Sequence, residues 1–414
     1  MRTNIYFMKR NGYLLLFFLS GALLFLSVQK DNHLSSTDGR PRYNDMQATQ
    51  SPAEPDSLFL QPSNPTFFPY PDGLRPQVEF WKKIFTEYTS RQAIIHDRRH
   101  VNIIYAVIDM TEEQRYSVKA RRKTIGSAIN KYKLILRKLN ALPHRNMPAL
   151  SEEEQGVFRM IKDIPGNYPF DRAARNFRVQ YGMKDSFQMA MVNASRYLKD
   201  MEQIFAQYGL PAELTLIPFA ESSFNAHVYS TAGAAGIWQL TRSTGKNYLI
   251  IDRYVDERRD HLKSTEAAAK LLSSYYRQLE SWPLAITAYN HGASGMNNAV
   301  RQTKSRDIET IITTYRGRSF GFSSRNFYPE FLAIVEVTGN YRTYFGEIQF
   351  PPPDVYDEFI LQDYVKMKTL LKYCSLDRKV ITHLNPALNK SVLESRRFLP
   401  KHYPLKVPAG MKEK

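Results

Sequence analysis

The chain has 414 residues, of which 43% are hydrophobic, so it can form more than one domain with a sizeable core. Its one cysteine, Cys374, excludes an internal disulfide. The formal net charge is +17, and part of the surplus is local, in a basic strip that could serve a polyanion such as nucleic acid, lipid headgroups or an acidic cell-wall polymer.

The N-terminal segment has the features of an export signal. Arg2, Lys9 and Arg10 precede an apolar run at residues 13–28, which predicts a signal peptide or membrane anchor over residues 1–30. The run is long for a cleaved signal and short for a span of about 20 residues. We therefore expect an exported protein of the periplasm, anchored in the inner membrane or associated with the cell envelope. Residues 31–74 are rich in Ser, Pro, Asp and Asn, which predicts a disordered linker.

Helical spacing dominates residues 75–184, which we predict to be a helical N-terminal region. Val78, Trp81, Ile84 and Phe85 recur at helical intervals. A basic strip follows between residues 111 and 147, with ten Lys or Arg against two Glu. It is either the solvated face of a helix or a surface for a polyanion. No aromatic residues alternate with these charges as in a single-strand nucleic-acid channel, so we expect no nucleic-acid partner.

The middle of the chain is predicted to be helical throughout, without strand and helix alternation. Residues 185–208 carry one apolar stripe and read as a single helix that Gly209 ends. Pro211 can start a short helix that leads to Glu221. Later helices are expected to begin with a cap at Ser264 or Thr265, at Pro283, and at residues 307 and 325. Three prolines at 351–353 then separate a C-terminal tail.

Glu221 is the strongest candidate for chemistry. It lies in an apolar run between Leu216 and Phe224, where burial should raise the pKa of a carboxyl group. A carboxylic acid that stays protonated near neutral pH can protonate the leaving oxygen of a glycosidic bond. The alternative is a glutamate near a helix end that bonds a neighbouring amide.

Two further motifs could complete a cleft. Small residues crowd positions 232–236, before Trp238 and Gln239, which offer an aromatic face and an amide to a sugar. The alternative is a tight turn with a core tryptophan. Tyr289 and Asn290 end a later helix and could point into the same cleft. The alternative there is an ordinary helix end at which Asn290 satisfies free carbonyls.

In this order and spacing, the motifs resemble the catalytic domain of lytic murein transglycosylases, in the goose-type lysozyme superfamily. The likeness is closest to the membrane-bound lytic transglycosylase D group and covers residues 181–341, more loosely from residue 76. The segments that carry it are Glu221-Ser222, Gly233–Gln239, Thr244-Gly245, Val255–Asp260 and Ala288–Gly292.

The resemblance implies a mainly α protein. Residues 185–345 would form a lysozyme-like helical catalytic domain that follows the helical N-terminal extension. Residues 355–410 resemble a degenerate LysM-like module, a small α+β unit that binds cell-wall glycans. Its usual Gly-Asp-Thr is missing, so this tail either binds glycan or is structural.

The resemblance also assigns roles to residues. Glu221 would be the catalytic acid and base. The substrate-binding set would be Ser222, Ser230, Gly236, Gln239, Tyr289 and Asn290, with Ser230 at the N-acetyl group and Tyr289 orienting the acid. His261, His291 and Thr241-Arg242 depart from the family pattern, which affects subsite preference more than activity.

The family cleaves the MurNAc-GlcNAc β-1,4 bond of peptidoglycan and leaves 1,6-anhydro-MurNAc ends. The substrate brings its own nucleophiles, so one carboxylate suffices and no metal or cofactor is expected. Asp256, Glu257 and Asp260 alternate with arginines and are predicted to form a buried ion-pair network instead. No other second carboxylate is evident, which favours transglycosylation over hydrolysis.

Two other functions remain open from sequence. One is a hydrolytic muramidase or chitinase on the same fold, and the other is a non-catalytic cell-wall-binding protein. The expected partners are peptidoglycan glycan strands and, through the N-terminal segment, the membrane. The protein is expected to be a monomer.

Overall fold

Helices make up most of the described chain, in agreement with the mainly α prediction. The computed structural model describes residue 59 and residues 66–142, 150–164 and 169–411. The predicted signal or anchor at 1–30 and most of the 31–74 linker lie outside these ranges. Within them, no helix combines the length and the apolar character that a membrane span requires.

The elements follow in chain order, with short 3₁₀ turns at Asp72–Leu74, Ala212–Leu216 and Glu257–Arg259. The helices are α1 (Arg75–Thr86), α2 (Glu112–Tyr116), α3 (Val118–Ala141), α4 (Glu152–Lys162), α5 (Phe170–Ala173), α6 (Lys184–Ala194), α7 (Leu198–Gln207), α8 (Ile217–Ser222), α9 (Arg242–Gly245), α10 (His261–Leu279), α11 (Trp282–His291), α12 (Ala293–Thr303), α13 (Ile308–Thr314), α14 (Phe322–Gly339), α15 (Tyr341–Phe345), α16 (Met367–Tyr373), α17 (Arg378–Leu384) and α18 (Lys390–Leu393). The strands are β1 (Gln92–Asp97), β2 (Ile104–Asp109), β3 (Phe177–Tyr181), β4 (Tyr356–Ile360), β5 (Val365–Lys366), β6 (Phe398–Leu399) and β7 (Pro404–Pro408).

The N-terminal region is not purely helical, which corrects the prediction for residues 75–184. It contains an antiparallel three-stranded sheet in the order β2-β1-β3. Strand β1 is buried on both faces: Ile94 packs into the main core, whereas Ile95 packs into a second core beneath α3 and α4. A strand covered on both sides has no polar and apolar alternation, so its sequence cannot be distinguished from that of a buried helix.

The predicted single helix at 185–208 is also wrong, because it is divided into α6 and α7. The break at residues 195–197 aims Arg196 and Tyr197 at Asp354 of the tail. The Arg196 guanidinium lies 3.0 Å and the Tyr197 hydroxyl 2.8 Å from its carboxylate, and the Tyr197 ring stacks on His261. The apolar stripe continues through the break, so periodicity could not show it. Gly209 follows with φ of +66°, as its predicted role at the helix end requires.

The start of α10 differs from the prediction as well. Asp260, not Ser264 or Thr265, is the N-cap, and its carboxylate accepts hydrogen bonds from the amides of Leu262 and Lys263, both at 3.0 Å. The hydroxyls of Ser264 and Thr265 instead bond to carbonyls in the first turn.

Helix α14 organises the main core. It packs against α1, α8 and α11, so it connects the N-terminal region to the segments that carry Glu221 and Tyr289. Its apolar residues, among them Phe331 and Ile334, are buried. The relative position of the two predicted site helices therefore depends on packing around α14.

The C-terminal tail is docked on the catalytic region. Strand β4 pairs with β7 and β5 pairs with β6, with α16 and α17 between them. Val255 of the catalytic region belongs to the tail's hydrophobic core. Arg259 donates to the carbonyls of Ala387 (2.9 Å) and Leu388 (3.0 Å), and Lys406 pairs with Asp260 at 3.2 Å. The predicted ion-pair network around residues 256–260 is thus confirmed, and part of it fastens the tail.

Candidate active site

Glu221 lies in the last turn of α8, directly before a sharp change in chain direction. Pro218 occupies the first turn, where its missing N–H is not needed. The helix ends at Ser223, and both Ser223 (φ 51°) and Phe224 (φ 54°) have left-handed backbone conformations. Two such residues in succession without glycine are strained, as is common at functional sites. The turn ends the helix immediately after the acid.

Burial controls the ionisation of Glu221. It raises the pKa of this carboxyl group from 4.5 to about 8. The prediction that the apolar run would raise this pKa is confirmed, and Glu221 is protonated at neutral pH.

Ser222 is a positioning residue in this structure. Its side chain is fully buried, and its hydroxyl donates to the carbonyl of Ile237 at 2.8 Å. This bond joins α8 to the small-residue loop at 230–240. The expected direct contact between this serine and substrate is therefore not supported, because no face of the side chain is open.

The loop at 230–240 is a tight, internally bonded turn. The Ser230 hydroxyl accepts from the amide of Ala234 at 3.0 Å, and the amide of Ser230 donates to the carbonyl of Ala234 at 2.9 Å. Gly236 has φ of +79°, and a Cβ atom there would lie 1.7 Å from the carbonyl oxygen of Arg258. This glycine is required by a close backbone approach, so it shapes the cleft whether or not it contacts sugar.

Arg258 supports the same loop through hydrogen bonds to its backbone carbonyls. Its buried guanidinium donates to the carbonyls of Gly233 (2.7 Å) and Leu240 (3.1 Å) and pairs with Asp256 at 2.7 Å. Removing either partner of this buried pair would leave an uncompensated charge. The loop geometry therefore depends on the ion-pair network.

For Trp238 the structure supports the alternative of a core tryptophan in a tight turn, and for Gln239 it limits which side-chain atoms are free to bind a sugar. Trp238 is fully buried, stacks on Phe205 and donates its indole N–H to Thr265 at 2.8 Å, so it is a core residue. The side-chain amide nitrogen of Gln239 donates to the carbonyls of Val228 (3.1 Å) and Gly236 (2.9 Å). Both amide hydrogens are used, so a sugar hydroxyl could be bound only by the carboxamide oxygen.

Tyr289, near the end of α11, contacts both α14 and the 230–240 loop. Its hydroxyl donates to the carbonyl of Trp238 at 2.7 Å. Its ring lies parallel to that of Phe327, with 6.4 Å between the two ring centroids. Burial and the negative charge of Glu221 both raise the pKa of Tyr289 well above its usual value, which places the phenol close to the acid. The neighbouring Asn290 accepts from the Ser324 hydroxyl at 2.9 Å. α8, the loop and the end of α11 thus meet at one site.

A second acid, Glu330 of α14, is within electrostatic reach of Glu221 and was missed from sequence. It follows Phe327 by one turn on α14. Burial raises the pKa of Glu330 well above its usual value, and the charge of Glu221 raises it further. The signal was available, since Phe327-Tyr-Pro-Glu-Phe-Leu332 is another apolar run with a single acid.

The class of the central segment follows from comparison with known families. Residues 201–312 match the family model described as "Transglycosylase SLT domain". This segment, which holds Glu221, the loop and Tyr289, is similar to transglycosylase SLT domains, and the predicted resemblance to lytic transglycosylases is confirmed.

Individual relatives agree with this class. The chain is 34% identical over 137 residues to membrane-bound lytic murein transglycosylase D of Escherichia coli K12, a match covering 33% of this chain and 30% of that protein. It is 33% identical over 120 residues to a putative tributyltin chloride resistance protein of Alteromonas sp. M-1, covering 28% of this chain and 58% of that protein. The 70 kDa soluble lytic transglycosylase Slt70 of Escherichia coli aligns with a TM-score of 0.29 at 14% identity, covering 66% and 51% of the two chains. That superposition is too poor to support an argument.

Proposed function

We propose that the protein is a lytic transglycosylase that cleaves the MurNAc-GlcNAc β-1,4 bond of peptidoglycan and leaves 1,6-anhydro-MurNAc ends. The observation that carries the proposal is Glu221, a carboxyl group that burial keeps protonated beside Tyr289 and the 230–240 loop. The name of the Escherichia coli relative supports the substrate. The match spans less than a third of that protein, so the activity of the whole chain is a proposal.

In the proposed reaction, Glu221 gives up one proton and later accepts one. Glu221 donates its proton to the glycosidic oxygen, and the bond from that oxygen to C1 of MurNAc breaks. The acetamido oxygen of MurNAc stabilises the cationic C1. The C6 hydroxyl oxygen then bonds to C1, and its proton returns to the Glu221 carboxylate. No water is consumed, and the enzyme ends in its starting protonation state.

The other site residues have supporting roles in this proposal. Ser230 and the carboxamide oxygen of Gln239 would bind the sugar from the loop side. Tyr289 would hold Glu221 in position, because its ring is fixed by Phe327 and its hydroxyl by the loop. Asn290 would bind substrate from the end of α11. Gly236 would let the loop backbone lie close to the cleft.

Hydrolysis is the second candidate, and Glu330 is the observation that favours it. An inverting hydrolase uses a second carboxylate about 6.5–9.5 Å from the acid to activate water. The absence of such a group can no longer argue against hydrolysis. However, burial and the nearby Glu221 raise the pKa of Glu330 well above its usual value, which disfavours the ionised form that a general base needs. We therefore favour transglycosylation.

Product mass tests the proposal directly. Digestion of purified sacculi should release muropeptides that are one water lighter than hydrolysed reducing ends. The fragments would be measured by mass spectrometry against those from a hydrolytic muramidase. Products at the hydrated mass would contradict transglycosylation and favour the hydrolase.

Activity should depend on pH through Glu221. The acid must carry its proton, and its pKa is raised to about 8, so kcat/KM should be level below about pH 7. It should fall about tenfold per pH unit above pH 8. Peptide-free glycan strands are the suitable substrate because their own charge does not change in this range. A fall centred near pH 4.5 would show that burial does not control the acid.

Location and partners are part of the same proposal. The relative's name supports a place in the cell envelope, with the N-terminal segment as signal or membrane anchor. We propose that glycan strands are the partner and that the protein acts as a monomer without nucleic acid. The tail is proposed as a LysM-like glycan contact. Tyr364 and Phe398 are exposed near the β5–β6 pair and offer ring faces to sugars.

A further inference from the structure

Five arginines meet where the N-terminal sheet contacts α14. Arg98 and Arg99 follow β1, Arg178 lies in β3, and Arg316 and Arg325 lie before and within α14. In the part of the chain that the structure describes, no ion pair joins any of them to a carboxylate. The acids nearby are Asp97, whose carboxylate accepts from the backbone amides of Arg99 and His100, and Glu330, so five guanidinium groups face two carboxyl groups. Such an excess of positive charge would be stabilised by a bound anion.

Strand register places two of these side chains together. His96 is opposite Arg178, and the Arg98 amide continues the pairing with a 2.6 Å bond to the carbonyl of Asn176. Arg98 is therefore the diagonal neighbour of Arg178 on one face of the sheet. That face contacts α14, because the Arg178 guanidinium lies 3.7 Å above the ring of Phe322.

Two arginines use their guanidinium groups to bond backbone carbonyls, and three do not. Arg325 donates to the carbonyls of Phe320, Ile312 and Tyr315, and Arg316 donates to that of Thr313, so both complete the end of α13. By contrast, the side chains of Arg98 and Arg99 are exposed. The Nε atom of Arg178 is buried and has no hydrogen-bond partner.

The lowered pKa values of Arg178 and Arg325 indicate that the arginines of the cluster lie close enough to repel one another. Burial and the charge of Arg98 lower the pKa of Arg178. Burial and the charges of Arg316, Arg99 and Arg98 lower the pKa of Arg325 to about 10. Glu330 is an acid within electrostatic reach of the cluster; burial raises its pKa well above the usual value, which disfavours its charged form, whereas Arg178 lowers it.

The cluster is continuous with the catalytic cleft. Arg178 is within electrostatic reach of Glu330, which in turn is within reach of Glu221. Near the start of α14, Ser324 bonds to Asn290 of the site. A strand bound at Glu221 would therefore have the arginines beside it.

We propose that Arg98, Arg99 and Arg178 bind carboxylate groups of the stem peptides on the glycan strand being cleaved. This inference rests on the proposed function. Guanidinium groups match carboxylates with paired hydrogen bonds, and a stem peptide, joined to the MurNAc lactyl group through an amide bond, carries free carboxylates on its own residues and at its C-terminus. The N-terminal region would thus select strands that still bear peptides.

The test compares two substrates with the full chain. Glycan strands with stem peptides, and the same strands stripped by an amidase, are digested while anhydro ends are counted. We expect wild-type kcat/KM to favour peptide-bearing strands by about tenfold, equivalent to about 1.4 kcal/mol. The Arg98→Gln/Arg99→Gln variant should bring this ratio close to one. Arg178→Gln should lower the ratio in the same direction, with its folding checked by thermal unfolding.

Removing two charges elsewhere is the matched control. Lys119 and Arg122 are exposed on α3, which packs on the opposite face of the sheet, so Lys119→Gln/Arg122→Gln should keep the wild-type ratio. An unchanged ratio in the Arg98/Arg99 variant, or an equal loss in the control, overturns the inference. So does a loss of binding to phosphatidylglycerol vesicles without a change in the ratio, which would assign the arginines to lipid. If wild type forms no anhydro ends from either substrate, the proposed function itself fails.

Discussion

Replacement of Glu221 by Gln should lower kcat/KM on glycan strands by about 10³- to 10⁴-fold. The amide has the shape of the protonated acid but cannot give a proton to the leaving oxygen. The rate of anhydro-end formation from sacculi would measure the loss. A variant that releases ends as fast as wild type would exclude Glu221 as the acid.

The same variant should be more stable than wild type at alkaline pH. The folded-state pKa of Glu221 is about 8, against 4.5 when solvated, so the unfolded chain binds fewer protons between these values. Wild-type stability therefore falls as pH rises from 4.5 to 8, and Gln removes that fall. The difference in Tm should be small near pH 4.5 and largest at pH 8 or above. A lower Tm for the variant at pH 8 would mean that the loss of activity reflects unfolding.

Glu202 offers a control for that effect. Burial raises its pKa to about 7, yet it lies on α7 and takes no part in the site. Glu202→Gln should share the pH-dependent stabilisation and keep the catalytic rate. Loss of activity in this variant would indicate that removing any buried acid disturbs the cleft.

Gly236→Ala is expected to have the largest effect on folding. The methyl group would overlap the Arg258 carbonyl, and the residue would keep a left-handed backbone, so we expect a loss of about 3–5 kcal/mol. Activity should fall with it, because the loop and Arg258 must separate. Urea unfolding with a circular dichroism readout would measure the stability.

Gly233→Ala separates the steric clash with Arg258 from the cost of a left-handed backbone conformation. Gly233 has the same φ of +79°, but nothing lies within 4 Å of its Cβ position. Its substitution should cost only about 1–2 kcal/mol, the penalty for a left-handed residue. Equal losses at the two positions would show that the Arg258 contact is unimportant.

What could be predicted from sequence was set by local signals. The apolar run around Glu221 predicted its raised pKa, and Gly209 predicted where α7 ends. Pro211 was predicted to start the short helix that carries Glu221, but it precedes a 3₁₀ turn at Ala212–Leu216, and α8 begins at Ile217. Alternation of charges at 256–260 predicted an ion-pair network. Each of these depends on residues a few positions apart.

The features missed from sequence depend on residues far apart in the chain. Strand β1 has no alternating pattern because two different cores cover its two faces. The break before α7 is stabilised by the bonds from Arg196 and Tyr197 to Asp354, which lies far along the chain. For Trp238 the sequence left two alternatives open, a ring face for a sugar and a core residue, and the stacking of Phe205 on the indole decides for the core. Glu330 acquired meaning from its neighbour Glu221, more than 100 positions earlier in the chain. Periodicity contains no information about such partners.

The docked tail has a consequence for the minimum size of an active fragment. The bonds from Arg259 to residues 387 and 388, and the bond from the Asp256 amide to the Ala387 carbonyl, all end in the tail. A truncation after residue 345 would strip these acceptors from the segment that supports the 230–240 loop. The shortest fragment with an intact cleft therefore extends well past the transglycosylase domain, through β7.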